Sequence, residues 1–181
     1  MKLEKIIKQP FVETDRFDLR PLRPSDAGLM EFYSKDERVA RMTPSIPHPL
    51  PAGATEAKVS RALAKDRDED IWAIDGTRSG LSEVLGLVSL HRMGNNQSEL
   101  SYWVAPAFWN KGVASEVTKA IVQHNPMLNK TIFAAVFQDN PASARVLTNC
   151  GFDYVGDAEA FCVARQANVA TWTYLKTFDD R

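Results

Sequence analysis

The spacing of apolar residues in the first part of the chain predicts one strand followed by two helices. The segment RFDLRPL, residues 16–22, alternates apolar and charged positions, which is typical of a strand with one buried face. Residues 24–33 favour a helix. Residues 42–53 contain four prolines and predict a loop, because proline lacks an amide donor and fixes φ. Residues 55–65 then predict a second helix.

The apolar pattern changes period after residue 70 and predicts six more strands and two more helices. Three short β-rich segments, IWAI, VLGLVSL and ELSYWV, are separated by the turn-forming segments DGTRSG and MGNNQ. They favour three consecutive antiparallel strands. Residues 112–124 form an apolar stripe at helical spacing that ends at Asn125-Pro126. A buried strand at residues 131–137, a helix at 141–149 and two final strands, DYVGDAEAF and ATWTYLK, complete the prediction.

This element order, β-α-α-β-β-β-α-β-α-β-β, predicts an α+β fold of the α/β sandwich type. The central sheet is expected to be mixed but mostly antiparallel, with about seven strands flanked by about four helices. No internal repeat or linker interrupts the pattern, and 181 residues are enough for one well-filled core. We therefore expect one domain over residues 1–181.

Composition and charge narrow the classes of function. The formal net charge of -1 gives no excess of basic residues for a run of phosphates, which disfavours nucleic-acid binding. Residues 1–10 lack the apolar core of a secretory signal, and no segment has the roughly 18 apolar residues of a membrane span. Cys150 and Cys162 are not in a metal-ligand spacing, so we expect reduced, structural thiols and no metal. We expect a cytoplasmic protein, either a monomer or a homodimer.

The first segment with candidate chemistry is a turn between a strand and a helix, around Lys111-Gly112 in SYWVAPAFWNKGVASE. Free N-H groups in the first turn of a helix, together with the helix dipole, favour anion binding, and Gly112 lets a phosphate approach the backbone. The motifs GxxxxGK[ST] and GxGxxG are absent, which argues against a P-loop hydrolase and a Rossmann dinucleotide site. A structural role for the glycine alone explains the turn equally well.

The second segment is NPASARVLTNCGF, residues 140–152. Asn140 is expected to cap a helix that starts at Pro141, and Gly151 to end it in a left-handed conformation. Phe152 is expected to pack back on the helix. Ser143, in the first helical turn, has no role in this structural explanation.

Together, W-x-K-G-x-A at residues 109–114 and N-x-x-S-x-x-x-L-x-x-x-G-F at residues 140–152 resemble the acetyl-coenzyme A site of the GNAT N-acetyltransferases. The resemblance covers nearly the whole chain, and TDRFDLRPLRPSDA with ELSYWVAPAFWNKGVASE is most similar to the RimJ/RimL branch. It implies acetyl transfer from acetyl-CoA to a primary amine, with a protein N-terminus or a small-molecule amine as the partner. The rival hypothesis is a catalytically silent protein that binds acyl-CoA as a sensor or interaction module.

The resemblance also implies where the cofactor binds. The fourth strand, residues 99–104, is expected to splay from the fifth, residues 131–137, and to hold the pantetheine arm on exposed backbone. Trp109 stands where many relatives have Gln or Arg, which removes one phosphate-binding side chain. The implied cofactor-binding residues are Tyr102, Trp103, Val104, Asn110, Lys111, Gly112, Val113, Ala114, Ser115, Asn140 and Ser143.

The implied reaction is direct attack by a neutral amine on the thioester, so the amine must first lose a proton. Glu99 is the leading candidate for the base, and His91 is the second. Many relatives protonate the leaving thiolate with a tyrosine at a position that is Leu147 here. Ser143 is therefore the nearest candidate to donate a hydrogen bond to sulfur, and Tyr102 is an outside candidate.

The acceptor side is the least determined part of the sequence. The resemblance implies that the acceptor enters opposite the cofactor, near the loop SIPHPLPAG and the segment CVARQANV. His48, Arg165 and Asp157 are candidates to bind a carboxylate or an amine, although polar loop residues are usually just solvated.

Overall fold

The structure, a computed structural model, describes residues 8–179, and every strand in that range belongs to one sheet. The strands are β1 Val12–Glu13, β2 Asp18–Pro21, β3 Glu69–Asp75, β4 Gly86–Gly94, β5 Gln97–Val104, β6 Thr131–Phe137, β7 Asp153–Cys162 and β8 Ala167–Thr177. Their spatial order is β1-β2-β3-β4-β5-β6-β8-β7. Only the β5–β6 pair is parallel. Most of the segment 1–10, for which we predict no secretory signal, lies outside the described residues.

The α-helices cover both faces of this sheet. They are α1 Ala27–Ser34, α2 Glu37–Ala40, α3 Ala54–Ala62, α4 Val113–His124 and α5 Pro141–Asn149. The apolar stripe of α4 and the inner face of α5 enter the main core on one face, and α1 and α3 enter a second core on the other. Two layers of helices therefore bury the sheet from both sides. Within residues 8–179, no helix has both the length and the apolar character needed to cross a membrane.

The predicted fold class is confirmed, with small differences in element count. The bounds of β6 and α5 coincide with the predicted strand and helix. The described range has eight strands and five α-helices, where about seven and four were predicted. The additions are β1, with two residues, and α2, with four, and both are too short to produce a periodic signal. The second predicted helix ends at Ala62, earlier than Lys65.

The strands β5 and β6 pair only at one end. Backbone pairing joins Gln97–Glu99 to Thr131–Phe133, and no pairing continues between Leu100–Val104 and Ala134–Phe137. On its other edge β5 stays paired with β4 as far as Val104, and β6 stays paired with β8 as far as Phe137. Each strand therefore keeps one partner while the gap between them opens. The expected splay between the fourth and fifth predicted strands is present as this wedge.

A buried ion-pair network fixes β2 against β3 and the start of α1. Arg20 Nε donates to Asp75 Oδ2 at 2.8 Å, and its two terminal nitrogens donate to the Asp26 carboxylate, each at 2.9 Å. The Arg20 and Asp26 side chains are only 5% and 1% exposed. Burial raises the pKa of Asp75, but hydrogen bonds from Arg20 and Thr77 outweigh it, so the net shift is downward. The buried network depends on all three charged side chains, because the Arg20 guanidinium is the shared partner of the Asp26 and Asp75 carboxylates.

We expect Arg20→Met to destabilise the protein by about 3–5 kcal/mol, because it leaves two buried carboxylates without a cation. Urea unfolding followed by circular dichroism measures this change in free energy. The control is Lys35→Met, which removes an exposed partner of Glu31 and should cost less than about 1 kcal/mol. Equal losses in the two variants would contradict the assigned role of Arg20.

Candidate active site

The wedge between β5 and β6 opens into a cavity of about 490 Å³. Its walls come from the diverging ends of both strands, the first turn of α4 and the first turn of α5. The predicted cofactor-binding residues line this cavity, with the exception of Lys111. The structure therefore brings together segments that lie about 40 residues apart along the chain.

Six consecutive backbone N-H groups, from Asn110 to Ser115, donate no hydrogen bond to any described residue. Asn110 and Gly112 both have positive φ, at 58° and 72°, and no side chain caps the start of α4. Left-handed residues beside a helix N-terminus turn successive amides toward one concave surface. The donor set fits an anion such as a pyrophosphate, which accepts several N-H bonds and is favoured by the helix dipole.

Hydrogen bonds from Thr14 and Arg16, near the start of the described residues, hold this turn in place. Glu116, in the first turn of α4, accepts hydrogen bonds from Thr14 Oγ1 at 2.6 Å and from Arg16 Nε at 2.7 Å. Arg16 Nη2 also donates to the Lys111 carbonyl at 2.9 Å. Burial raises the pKa of Glu116, but the hydrogen bonds outweigh it and the pKa falls, so the carboxylate stays ionised. Sequence reasoning missed this brace, because its partners are about 100 residues apart.

Trp109 ties the end of β5 to the turn. Its indole Nε1 donates to the Val104 carbonyl at 2.6 Å, and the Arg38 guanidinium lies 5.7 Å from a Trp109 ring centroid. Trp109 therefore makes a structural contact at the position where the sequence predicts the loss of a phosphate-binding side chain. The Val104 carbonyl already accepts a hydrogen bond, so it is a less available ligand than the sequence implied.

Tyr102 and Ser143 face each other across the wedge. The Tyr102 hydroxyl lies 2.7 Å from Ser143 Oγ and 3.3 Å from the Ser143 carbonyl oxygen. Burial raises the pKa of Tyr102 to about 12, although the hydrogen bond with Ser143 opposes the shift. The phenol therefore stays protonated at neutral pH. Leu147, where many relatives have the acid, is fully buried in the main core.

Asn140 lines the cavity, but its predicted capping role is wrong. Its side chain makes no hydrogen bond to the first turn of α5; only its carbonyl accepts, from the Ser143 N-H at 3.1 Å. The backbone at Asn140, with φ -123° and ψ 67°, differs from the extended conformation usual for a capping residue. The Asn140 amide is therefore left for a ligand. The other expectations hold, since Gly151 has φ 85° and Phe152 is buried in the main core.

The two predicted base candidates do not reach the cavity wall. Glu99 lies where β5 and β6 are still paired, at the closed end of the wedge, and His91 Nε2 contacts Asp68 at 3.2 Å. Both belong to one cross-strand row that continues to Glu69 on β3, and residues in such a row share a face of the sheet. Among the described acidic residues, Glu69 alone lines the cavity. The role of Glu99 stays a prediction that this placement disfavours.

The predicted acceptor-side segments have different positions. Ser45 and Ile46 of the proline-rich loop line the main cavity, and Pro47 and Leu50 line a second cavity of about 370 Å³ beside it. The segment 162–169 lines neither cavity. It contacts the start of the proline-rich region, where the Val163 N-H donates to the Pro44 carbonyl at 3.0 Å.

The three predicted acceptor-binding residues also lie outside both cavities. Arg165 forms an ion pair with Asp139 and donates to the Arg41 carbonyl at 2.9 Å. Asp157 accepts a hydrogen bond from Tyr154. The structure does not bring His48 to a cavity wall. Arg165 and Asp157 are therefore occupied by contacts within the protein.

An eight-stranded mixed sheet with a splayed parallel pair and free amides at the adjoining helix start defines an acyl-CoA-binding fold of the acetyltransferase type. A profile of the acetyltransferase (GNAT) domain family matches residues 16–153. The chain belongs to the GNAT acetyltransferase family. It is an acyl-CoA-dependent acetyltransferase, and acetyl-CoA is its cosubstrate.

Individual relatives agree with this assignment. The uncharacterized N-acetyltransferase YoaA of Bacillus subtilis is 28% identical over 152 residues, which cover 81% of this chain and 85% of YoaA. A solved structure of RimL, a ribosomal L7/L12 α-N-protein acetyltransferase in complex with coenzyme A, has TM-score 0.78 at 17% identity and covers 94% of this chain and 99% of RimL. Spermidine N-acetyltransferase from Vibrio cholerae, with CoA and spermine, has TM-score 0.72 at 17% identity and covers 88% of this chain and 95% of that one.

We expect Gly112→Ala to raise the KM for acetyl-CoA about five- to thirtyfold, because a left-handed alanine costs about 1–2 kcal/mol and disfavours the turn that presents the amides. A Cβ at Gly112 would meet only Arg16 Nη2, at 3.5 Å, so the effect is conformational and not steric. Steady-state kinetics with varied acetyl-CoA measures it. Gly80→Ala is a matched control with φ 73°, open surroundings and no place in the cavity. The same rise in KM in both variants would contradict the assignment.

Proposed function

We propose that the protein transfers the acetyl group from acetyl-CoA to a primary amine by direct attack in a ternary complex. The observation that carries the proposal is the pair of adjoining cavities. The first contains the free amides and the wedge, and the second shares Lys58 and Glu69 with it while extending to α1 and α3. Two adjoining binding spaces suit two substrates held together, with no covalent acyl-enzyme.

In the proposed mechanism, the backbone of the turn at residues 110–115 holds the pyrophosphate and the Asn140 amide contacts the pantetheine arm. The neutral amine attacks the thioester carbonyl carbon, a C-N bond forms, and the C-S bond breaks with its electron pair leaving on sulfur. After the attack, the nitrogen loses one proton to a base or to water, which gives the neutral amide. Glu69 is the candidate base for that step, because it is the acidic residue among those described that lines the cavity.

The Tyr102–Ser143 pair is the proposed stabiliser of the leaving thiolate. A thiol has an ordinary pKa of about 8.5, so proton transfer from a phenol with pKa about 12 is uphill by about 5 kcal/mol. The pair therefore donates hydrogen bonds to sulfur and does not supply the net proton. If Tyr102 donates to Ser143 Oγ, the Ser143 hydroxyl proton is directed at the ligand. Two hydroxyl groups thus replace the one that Leu147 cannot provide.

The names of the structural neighbours support an amine acceptor. RimL is named for acetylating a protein α-amine, and the Vibrio cholerae enzyme for acetylating spermidine. Both acceptors carry a primary amine. The rival hypothesis of a silent acyl-CoA sensor draws support from Leu147, and the Tyr102–Ser143 pair offers hydroxyl groups for the role that Leu147 cannot fill.

The proposed function predicts release of free coenzyme A thiol when the purified protein, acetyl-CoA and a suitable amine are combined. The panel should contain amino acids, polyamines, aminoglycosides and N-terminal peptides, with a thiol reagent as the readout. Mass spectrometry should find an acetylated amine in the same reaction. Binding of acetyl-CoA without acceleration by any of these amines would overturn the proposal for these acceptors.

We expect Tyr102→Phe and Ser143→Ala each to lower kcat about tenfold or more, because a hydrogen bond to a charged group contributes about 1.5–3 kcal/mol. The KM for acetyl-CoA should change less than about twofold, since the stabilised charge exists only as the C-S bond breaks. Thr148→Ala, which removes an exposed hydroxyl of α5 outside the cavity, is the control. A loss confined to KM would show that the pair only binds the cofactor.

A further inference from the structure

The second cavity lies between α1, α3, β3 and the proline-rich loop, on the sheet face opposite α4 and α5. It shares with the main cavity two charged residues, Lys58 and Glu69, and an apolar rim that includes Ile71 and Leu87. A molecule in this space that reaches toward the wedge therefore meets the side chains of both Lys58 and Glu69.

Most other charged groups around this cavity already have partners. Arg67 donates to Asp70 at 2.6 Å, and Asp68 contacts His91 at 3.2 Å. Lys58, Arg61 and Glu69 form no hydrogen bond or ion pair within the part of the chain that the structure describes. Two basic side chains and one acidic side chain are thus available to a ligand.

Lys58 is the most unusual of these three groups. Burial lowers the pKa of its ammonium, Arg61 adds to the shift, and the attraction of Glu69 only partly opposes it. A half-buried cation beside an apolar rim is stabilised when an anion enters and hydrogen-bonds to it. A protonated amine entering alone would instead add a further positive charge beside Lys58 and Arg61.

We propose that Lys58 and Glu69 form an acceptor subsite for amines that carry an anionic group close to the reacting nitrogen, with the α-amino acids as the leading class. Glu69 contacts the amine at the junction of the two cavities, and Lys58 contacts the anion, with Arg61 adding charge at the outer wall. This inference rests on the proposed function. A polyamine has no anion for Lys58 and is a poor acceptor.

Acetylation kinetics with matched pairs of acceptors test the subsite. Each L-amino acid is compared with its own carboxamide, O-phosphoethanolamine is compared with ethanolamine, and spermidine is included. We expect kcat/KM for the anionic member to exceed that of its neutral partner by at least about tenfold. The amino-acid and phosphate arms distinguish a carboxylate from a phosphate as the preferred anion.

Variants assign the two roles. Lys58→Met should reduce the anionic-to-neutral ratio to near one while changing kcat/KM for the carboxamides less than about threefold, and Lys58→Arg should keep the preference. Glu69→Gln should lower kcat/KM about tenfold for both members of a pair and preserve the ratio, because the amine is common to both. Lys119→Met, an exposed lysine of α4 outside both cavities, controls for loss of a charge.

A wild-type enzyme that acetylates carboxamides or spermidine as well as amino acids would overturn the inference and leave the proposed function standing. So would a preference that Lys58→Met does not reduce. If no amine in the panel is acetylated, the proposed function itself fails. Unchanged melting temperature and acetyl-CoA affinity in each variant show that a lost preference does not come from misfolding.

Discussion

The divergence of β5 from β6 is the constraint on which the site depends. The two strands keep three paired positions at one end and then separate, although each stays hydrogen-bonded to its outer neighbour. Backbone groups that would normally be paired inside a sheet are thereby left without a strand partner in its middle. The same separation opens the cavity that the starts of α4 and α5 line, so one break in pairing creates the space beside the free amides of residues 110–115.

A gap of this kind is stable only if its edges are held in place. The brace of Arg16 and Thr14 on Glu116 ties the start of α4 to the first strands, and the Trp109 indole ties the turn to the end of β5. Neither contact needs a ligand, so the amides of residues 110–115 are oriented in advance. Preorganised donors bind without an ordering cost at the moment of association.

Much of the fold was predictable from local pattern. The apolar run of β6 and the Asn-Pro to Gly-Phe bounds of α5 are local signals, and both elements matched in full. The turn around Gly112 was also predictable, since its glycine and helix start are adjacent in sequence. The Arg16 brace, the Tyr102–Ser143 contact and the position of Glu69 join distant segments, and only the tertiary packing brings them together. The predicted base candidates Glu99 and His91 share a cross-strand row with Glu69, and the role of Glu99 stays a prediction.

We propose that the wedge and the turn beside it hold acetyl-CoA. Hydrogen–deuterium exchange of the protein with and without saturating coenzyme A tests it most directly, because the free amides of residues 110–115 exchange fast until a ligand accepts their hydrogen bonds. We predict strong protection at residues 110–115 and in the splayed part of β5, residues 100–104, with little change at β1 and β2. Saturating binding that protects other segments and leaves residues 110–115 unprotected would show that coenzyme A binds elsewhere.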